Sequence, residues 1–103
     1  MKTPERAVLR ACLDYLRVRH HLVARINNGA FQTKGGGFVR CTDVPGIADI
    51  MGITFDGKAL AVECKSDTGR LSRAQEIFKA AWIARGGVYV LARSVEDLRE
   101  AGL

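Results

Sequence analysis

Apolar positions recur every three or four residues early in the chain and every two residues in its middle, and this change of period lays out the elements. Val8, Leu9, Cys12, Leu13 and Leu16 form one helical face. Thr3 is the expected N-cap, Pro4 the first helical position and Glu5 a first-turn acid, with the helix ending near Arg19. His20 and His21 fit that end, where positive charge is favoured. Leu22–Ile26 reads as a strand closed by Asn27-Asn28-Gly29, Gln32–Gly37 as a flexible glycine-rich loop, and Phe38–Cys41 as a short returning strand. Ala48–Thr54 and Lys58–Lys65 are strands joined by Phe55-Asp56-Gly57, a hairpin signal. Ser72 caps a second helix to about Arg85, with Ile77, Phe78, Ala81 and Trp82 as its inner stripe and Gly86-Gly87 at its end. Val88–Ala92 reads as a buried strand, and Ser94 caps a short last helix with Asp97 three residues on. The expected fold class is α/β: a mixed central sheet flanked by helices in the order α-β-β-β-α-β-α.

Residues 1–103 suit one domain with a single core. Hydrophobic content of 48% is too high for a disordered chain, and no apolar run reaches the roughly 20 residues of a membrane helix. The opening Met-Lys-Thr-Pro-Glu-Arg lacks a signal peptide's apolar stretch. Cys12, Cys41 and Cys64 form no Cys-x-x-Cys pair, which disfavours a disulfide framework or zinc knuckle and makes a reducing cytoplasm the expectation. The net charge of +5 is uneven: residues 1–41 carry eight Lys/Arg against Glu5 and Asp14, whereas residues 42–103 carry eight against nine acids. A basic first half suits a polyanion such as DNA. Arg25, Asn27, Lys34, Arg40 and Arg70 are the candidate phosphate contacts, though each is also an ordinary surface residue type.

Ala59–Lys65 holds the most informative pattern. Alternation puts Leu60, Val62 and Cys64 on one face and Ala61, Glu63 and Lys65 on the other. An acid and a base at the end of so apolar a strand are costly unless they pair or have a function. Asp49 offers a second carboxylate. Two carboxylates about 4 Å apart repel by roughly 4 kcal/mol at an effective dielectric near 20, and a divalent cation turns that repulsion into binding. Hard oxygen ligands favour Mg²⁺ or Mn²⁺, to which the Cys64 backbone carbonyl adds a further oxygen. Lys65 would then hold the attacking water or steady charge on a phosphate. The plain alternative is a same-face Glu63–Lys65 ion pair.

These motifs occur in a familiar order. Glu5 opens the first helix, Arg25-Ile26-Asn27-Asn28-Gly29 ends a strand, and Gly46-Ile47-Ala48-Asp49 stands where Gly-x-Pro-Asp is usual, with Ala48 in place of proline. Glu63-Cys64-Lys65 gives Glu-x-Lys, and Gly69-Arg70-Leu71-Ser72-Arg73-Ala74-Gln75 gives Gly-x-Leu-Ser-x-x-Gln. Over Glu5 to about Ala92 the chain resembles the VRR-NUC family (virus-type replication-repair nucleases) of the PD-(D/E)XK nuclease superfamily. The resemblance implies a restriction-endonuclease-like core and Mg²⁺- or Mn²⁺-dependent cleavage of DNA phosphodiester bonds. Asp49 and Glu63 would bind metal, Glu5 would complete the site directly or through water, and Gln75 would position water or phosphate. Ser72 and Gln75 also form a capping box, and the two roles cannot draw on the same amide hydrogens. Small stand-alone relatives imply a homodimer, of a phage type, acting on branched DNA such as four-way junctions. A nicking or flap nuclease, a non-catalytic DNA-binding module and a protein-interaction domain are the competing expectations.

Overall fold

The computed structural model describes residues 3–26, 30–40 and 42–103, and of 30–32 and 38–40 the backbone only. Asn27, Asn28, Gly29 and Cys41 lie outside the described residues. Helix α1 (Glu5–Val18) is followed by β1 (Leu22–Arg25), β2 (Ala30–Gln32), β3 (Phe38–Arg40), β4 (Ile50–Ile53) and β5 (Ala59–Cys64). Helix α2 (Arg73–Ala84), β6 (Val88–Ala92) and α3 (Val95–Glu100) complete the chain. The architecture is α/β: an open mixed sheet ordered β1-β4-β5-β6, three helices, and a separate β2–β3 hairpin. Strands β1, β4 and β5 run antiparallel in turn, whereas β6 is parallel to β5, so α2 makes the crossover. The glycine-rich loop is the tip of the β2–β3 hairpin, in which Thr33 N–H donates to the Gly37 carbonyl at 2.7 Å.

One face of the sheet holds the core. Val8, Cys12, Leu13 and Leu16 of α1 and Leu98 of α3 pack on Val23, Ile50, Leu60, Val62, Cys64 and Ala92. The strand alternation expected for residues 59–65 is therefore realised. Among the described residues no helix is long and apolar enough to cross a membrane.

Several local expectations are corrected. Helix α1 begins one residue later than its sequence suggests: Pro4, at ψ 147°, is the flanking residue, and its carbonyl accepts from Ala7 and Val8 N–H. The α1 terminus is a Schellman motif, with His21 N–H donating to Leu16 at 3.1 Å and His20 at φ 68°. Helices α2 and α3 close in the same way on Gly86 and Gly102. His21 ties three elements together, accepting from Phe55 N–H at Nδ1 (2.9 Å) and meeting the Leu103 carbonyl through Nε2 (3.3 Å). No side chain caps α3 from Ser94; Asp97 accepts from Arg93 N–H at 2.8 Å instead.

Helix α2 departs most from its predicted stripe. None of its residues is fully buried; Ala81 is exposed and Ile77 is 59% exposed. The helix packs on β6 at the sheet's edge rather than across the sheet, and edge packing gives it a narrow contact. Phe78 and Trp82 make that contact, their rings stacked at 5.6 Å, with Trp82 Nε1 donating to the Val88 carbonyl at 3.0 Å. For the same reason β6 is half-buried except at Ala92.

Candidate active site at the ends of β4 and β5

The antiparallel register of β4 and β5 creates the site. Ile50 pairs with Val62, so one step further along the ladder sets Asp49 across from Glu63 on the same face. The Asp49 carbonyl accepts from Ile26 N–H at 2.7 Å, and its Oδ2 accepts from Cys64 N–H at 2.9 Å. Asp49 is thus held to β5 by the residue next to Glu63. Lys65 lies two positions past Glu63, and its own N–H donates to the Ala92 carbonyl at 3.0 Å, continuing the pairing with β6.

Glu63 is 2% exposed, the only carboxylate buried so deeply among the described residues. Its Oε2 accepts from Gln75 Nε2 at 3.1 Å and stands 3.6 Å from Lys65 Nζ, whose side chain is 14% exposed. Its Oε1 is buried without a hydrogen-bond partner, as is the hydroxyl of Tyr89. Burial raises the Glu63 carboxyl most, the adjoining Asp49 carboxylate adds to the rise, and Lys65 opposes it; the pKa reaches about 8. Without metal, the Glu63 carboxyl therefore keeps its proton near neutrality. Glu5, exposed in the first turn of α1, adds a smaller rise. It stands at the rim rather than inside.

Gln75 completes its capping box and reaches Glu63 with the other end of its amide. Its Oε1 accepts from Ser72 N–H at 2.8 Å, completing the capping box, while Nε2 reaches Glu63. The two ends of one amide make the two contacts, and the donor and acceptor partners fix its orientation. Gly46 sets the spacing between the Asp49 segment and α2. It has φ 72°, and a Cβ there would lie 2.2 Å from the Ala74 carbonyl oxygen and 2.6 Å from Gln75 N. Gly46→Ala is expected to lower stability by about 2 to 3 kcal/mol, from left-handed strain and backbone overlap. Urea denaturation measures that loss, and the displaced α2 terminus should separate Gln75 from Glu63.

Cys64 brings its backbone to the site while its side chain points away. It is fully buried, and contact with the Cys12 thiol, reinforced by burial, pushes its own thiol well above the ordinary range. The other expected residues are spread out. Arg25 lies at the end of β1 against α1, Arg70 lies in the loop after β5, and Lys34 is exposed in the turn between β2 and β3. Asn27 lies outside the described residues, and the Arg40 side chain is not described.

Two residues near the site escaped sequence reasoning. Tyr89 belongs to the face shared by Ala61 and Glu63, and burial together with the Glu63 and Asp49 charges pushes its hydroxyl pKa upward. A lone tyrosine in an otherwise aliphatic strand was its signal. Arg93 donates through one nitrogen to the Ser66 and Gly69 carbonyls at 2.6 and 2.7 Å, fixing the loop after Lys65. No sequence signal marks that contact, because its partners are backbone atoms.

The donor set is compatible with a hard divalent cation. Among the described residues no three His, Cys, Asp or Glu side chains form a group able to hold a metal. Mg²⁺, however, is commonly bound by one or two carboxylates while keeping several waters. The unpartnered, buried Oε1 of Glu63 next to Asp49 is the feature that fits such an ion. Searches against protein-family models, curated proteins and solved structures found no match.

Proposed function

We propose that this chain is a metal-dependent DNA endonuclease of the VRR-NUC kind, with a restriction-endonuclease-like core, acting on branched DNA as a homodimer. The observation that carries the reading is the buried Glu63 carboxyl beside the half-buried Asp49, with Glu63 Oε1 unsatisfied and Lys65 3.6 Å away. Such a combination is costly in a protein that only folds, since the buried Glu63 carboxyl loses hydration and sits beside a second carboxylate. Mg²⁺ or Mn²⁺ held by Asp49 and Glu63, with the Cys64 carbonyl and Glu5 as further oxygens, supplies a Lewis acid and a water of lowered pKa.

The chain's own groups supply the rest. Lys65 keeps a positive charge beside the reacting phosphate, where negative charge grows as water oxygen bonds to phosphorus and the ester oxygen leaves. Gln75 acts through Glu63: its Nε2 holds Oε2 and so directs the other oxygen into the site. That is a positioning role. One site per chain cuts one strand, so paired cuts across a junction require two copies.

The test is cleavage of labelled linear, flap and four-way DNA by the purified protein with Mn²⁺ and with EDTA. The reading expects Mn²⁺-dependent product, with the four-way substrate preferred. Absence of product from every substrate would overturn it. Equal cutting of flap and junction would keep the chemistry and remove the junction preference.

A further inference from the structure

Among the described residues, six basic side chains line two clefts, one towards the β1 side of the sheet and one towards the β6 side. Arg6 and Arg10, one turn apart on α1, share a cleft of about 350 Å³ with Arg25, over Leu9 and Leu13. Arg70, Lys79 and Arg93 share another of about 640 Å³ with Asp67 and Glu76. The sheet order β1-β4-β5-β6 explains their placement. Arg25 ends β1 and Arg93 follows β6, while Asp49 immediately precedes β4 and Glu63 lies on β5, the two strands between.

We infer that a single DNA strand crosses the carboxyl end of β5 with its phosphates seated in both clefts and its scissile phosphate over Asp49 and Glu63. This rests on the nuclease reading and names the substrate's path through that site. Strands about 4.8 Å apart place β1 and β6 roughly 14 Å from each other. At about 3.4 Å of rise per nucleotide, that span matches about four nucleotides, enough for a phosphate on each side of the one being cut. The first cleft is the more cationic, although Arg10 also holds Asp14 at 3.2 Å. In the second, Arg93 commits one nitrogen to the Ser66 and Gly69 carbonyls and keeps the remaining donors of its guanidinium. The acids Asp67 and Glu76 weaken that cleft's field, so the α1 side should hold DNA more strongly.

The experiment measures anisotropy of fluorescein-labelled DNA in EDTA from 50 to 200 mM KCl, so that cleavage plays no part. Each phosphate contact contributes about 0.9 to the slope of log affinity against log salt on a duplex. Arg6→Ala with Arg10→Ala should make the slope shallower by about 2, and Arg70→Ala with Lys79→Ala by up to about 2. Arg6→Lys with Arg10→Lys should restore most of it, which separates charge from any packing loss. Lys58→Ala, in the β4–β5 hairpin at the opposite end of the sheet, should leave the slope unchanged. The path is overturned if neither cleft pair changes the slope, if Lys58→Ala changes it equally, or if polyglutamate displaces the probe as well as unlabelled DNA does. Cleavage by a protein whose cleft variants bind normally would refute the path alone. Binding with the expected slopes but without any cutting would refute the nuclease reading and keep the path.

Discussion

Asp49→Asn is expected to leave DNA binding within about twofold of the wild type at moderate salt and to lower Mn²⁺-dependent cleavage at least about 10³-fold, a loss near 4 kcal/mol of transition-state stabilisation. The side chain changes almost nothing in shape. Asparagine's carbonyl oxygen can still accept from Cys64 N–H, the contact that Asp49 Oδ2 makes at 2.9 Å, so the link to β5 survives. What goes is one of two adjoining negative charges, and with it half of the attraction for a hard dication. The repulsion holding up the Glu63 carboxyl weakens at the same time, because Asp49 is the largest influence after burial. Single-turnover cleavage measures the first effect, and anisotropy in EDTA checks that binding is kept. Wild-type rates in the variant would remove Asp49 from the chemistry. An unfolded variant, revealed by circular dichroism, would show that the Cys64 contact depends on charge.

Much of this arrangement is legible along the chain because it follows from local periodicity. The alternation of Leu60, Val62 and Cys64 against Ala61, Glu63 and Lys65 fixes which side chains enter the core and which form the site, and the structure follows it. The α1 stripe and the Asp56-Gly57 turn are local signals of the same sort. Where tertiary contacts decide, the sequence is silent. Strand β2, only Ala30–Gln32, is too short for a period and gains its pairing from β3. The α2 stripe is misleading because an amphipathic pattern says which face is apolar, not how much surface waits to cover it; at the sheet edge only Phe78 and Trp82 find partners. Gln75 is a mixed case. Its capping box is written in the spacing Ser72–Gln75, but the reach of Nε2 to Glu63 needs Gly46 to let the two segments meet. The two clefts combine residues from α1 with β1 and from the loop after β5 with α2, so no window of sequence contains either. The family resemblance rests on motif order, and the geometry that supports its chemistry is the meeting of Asp49 with Glu63.

Without metal, the wild-type protein is expected to lose stability as pH rises from about 5 to 9, and Glu63→Gln to remove most of that dependence. The sign follows from the raised Glu63 pKa. The native state keeps this carboxyl protonated up to about 8, whereas an unfolded chain releases the proton near the ordinary value of 4.5. Between those values the native state binds more protons than the unfolded one, so stability falls with pH. The contribution is complete below about 4.5 and lost on passing through about 8. A lift of that size corresponds to at most roughly 4 to 5 kcal/mol, reduced by the water that reaches the half-buried Asp49 beside it. Glutamine keeps an oxygen for Gln75 Nε2 and offers Asp49 an amide hydrogen in place of the acid proton, so the variant should melt higher than the wild type at pH 9 in EDTA. Mn²⁺ should reverse the order, stabilising the wild type at pH 8 through binding to the native state and the variant far less. Melting curves across pH with EDTA and with Mn²⁺ make the comparison. A wild type whose stability stays flat from pH 5 to 9 without metal would mean that Glu63 is ionised throughout.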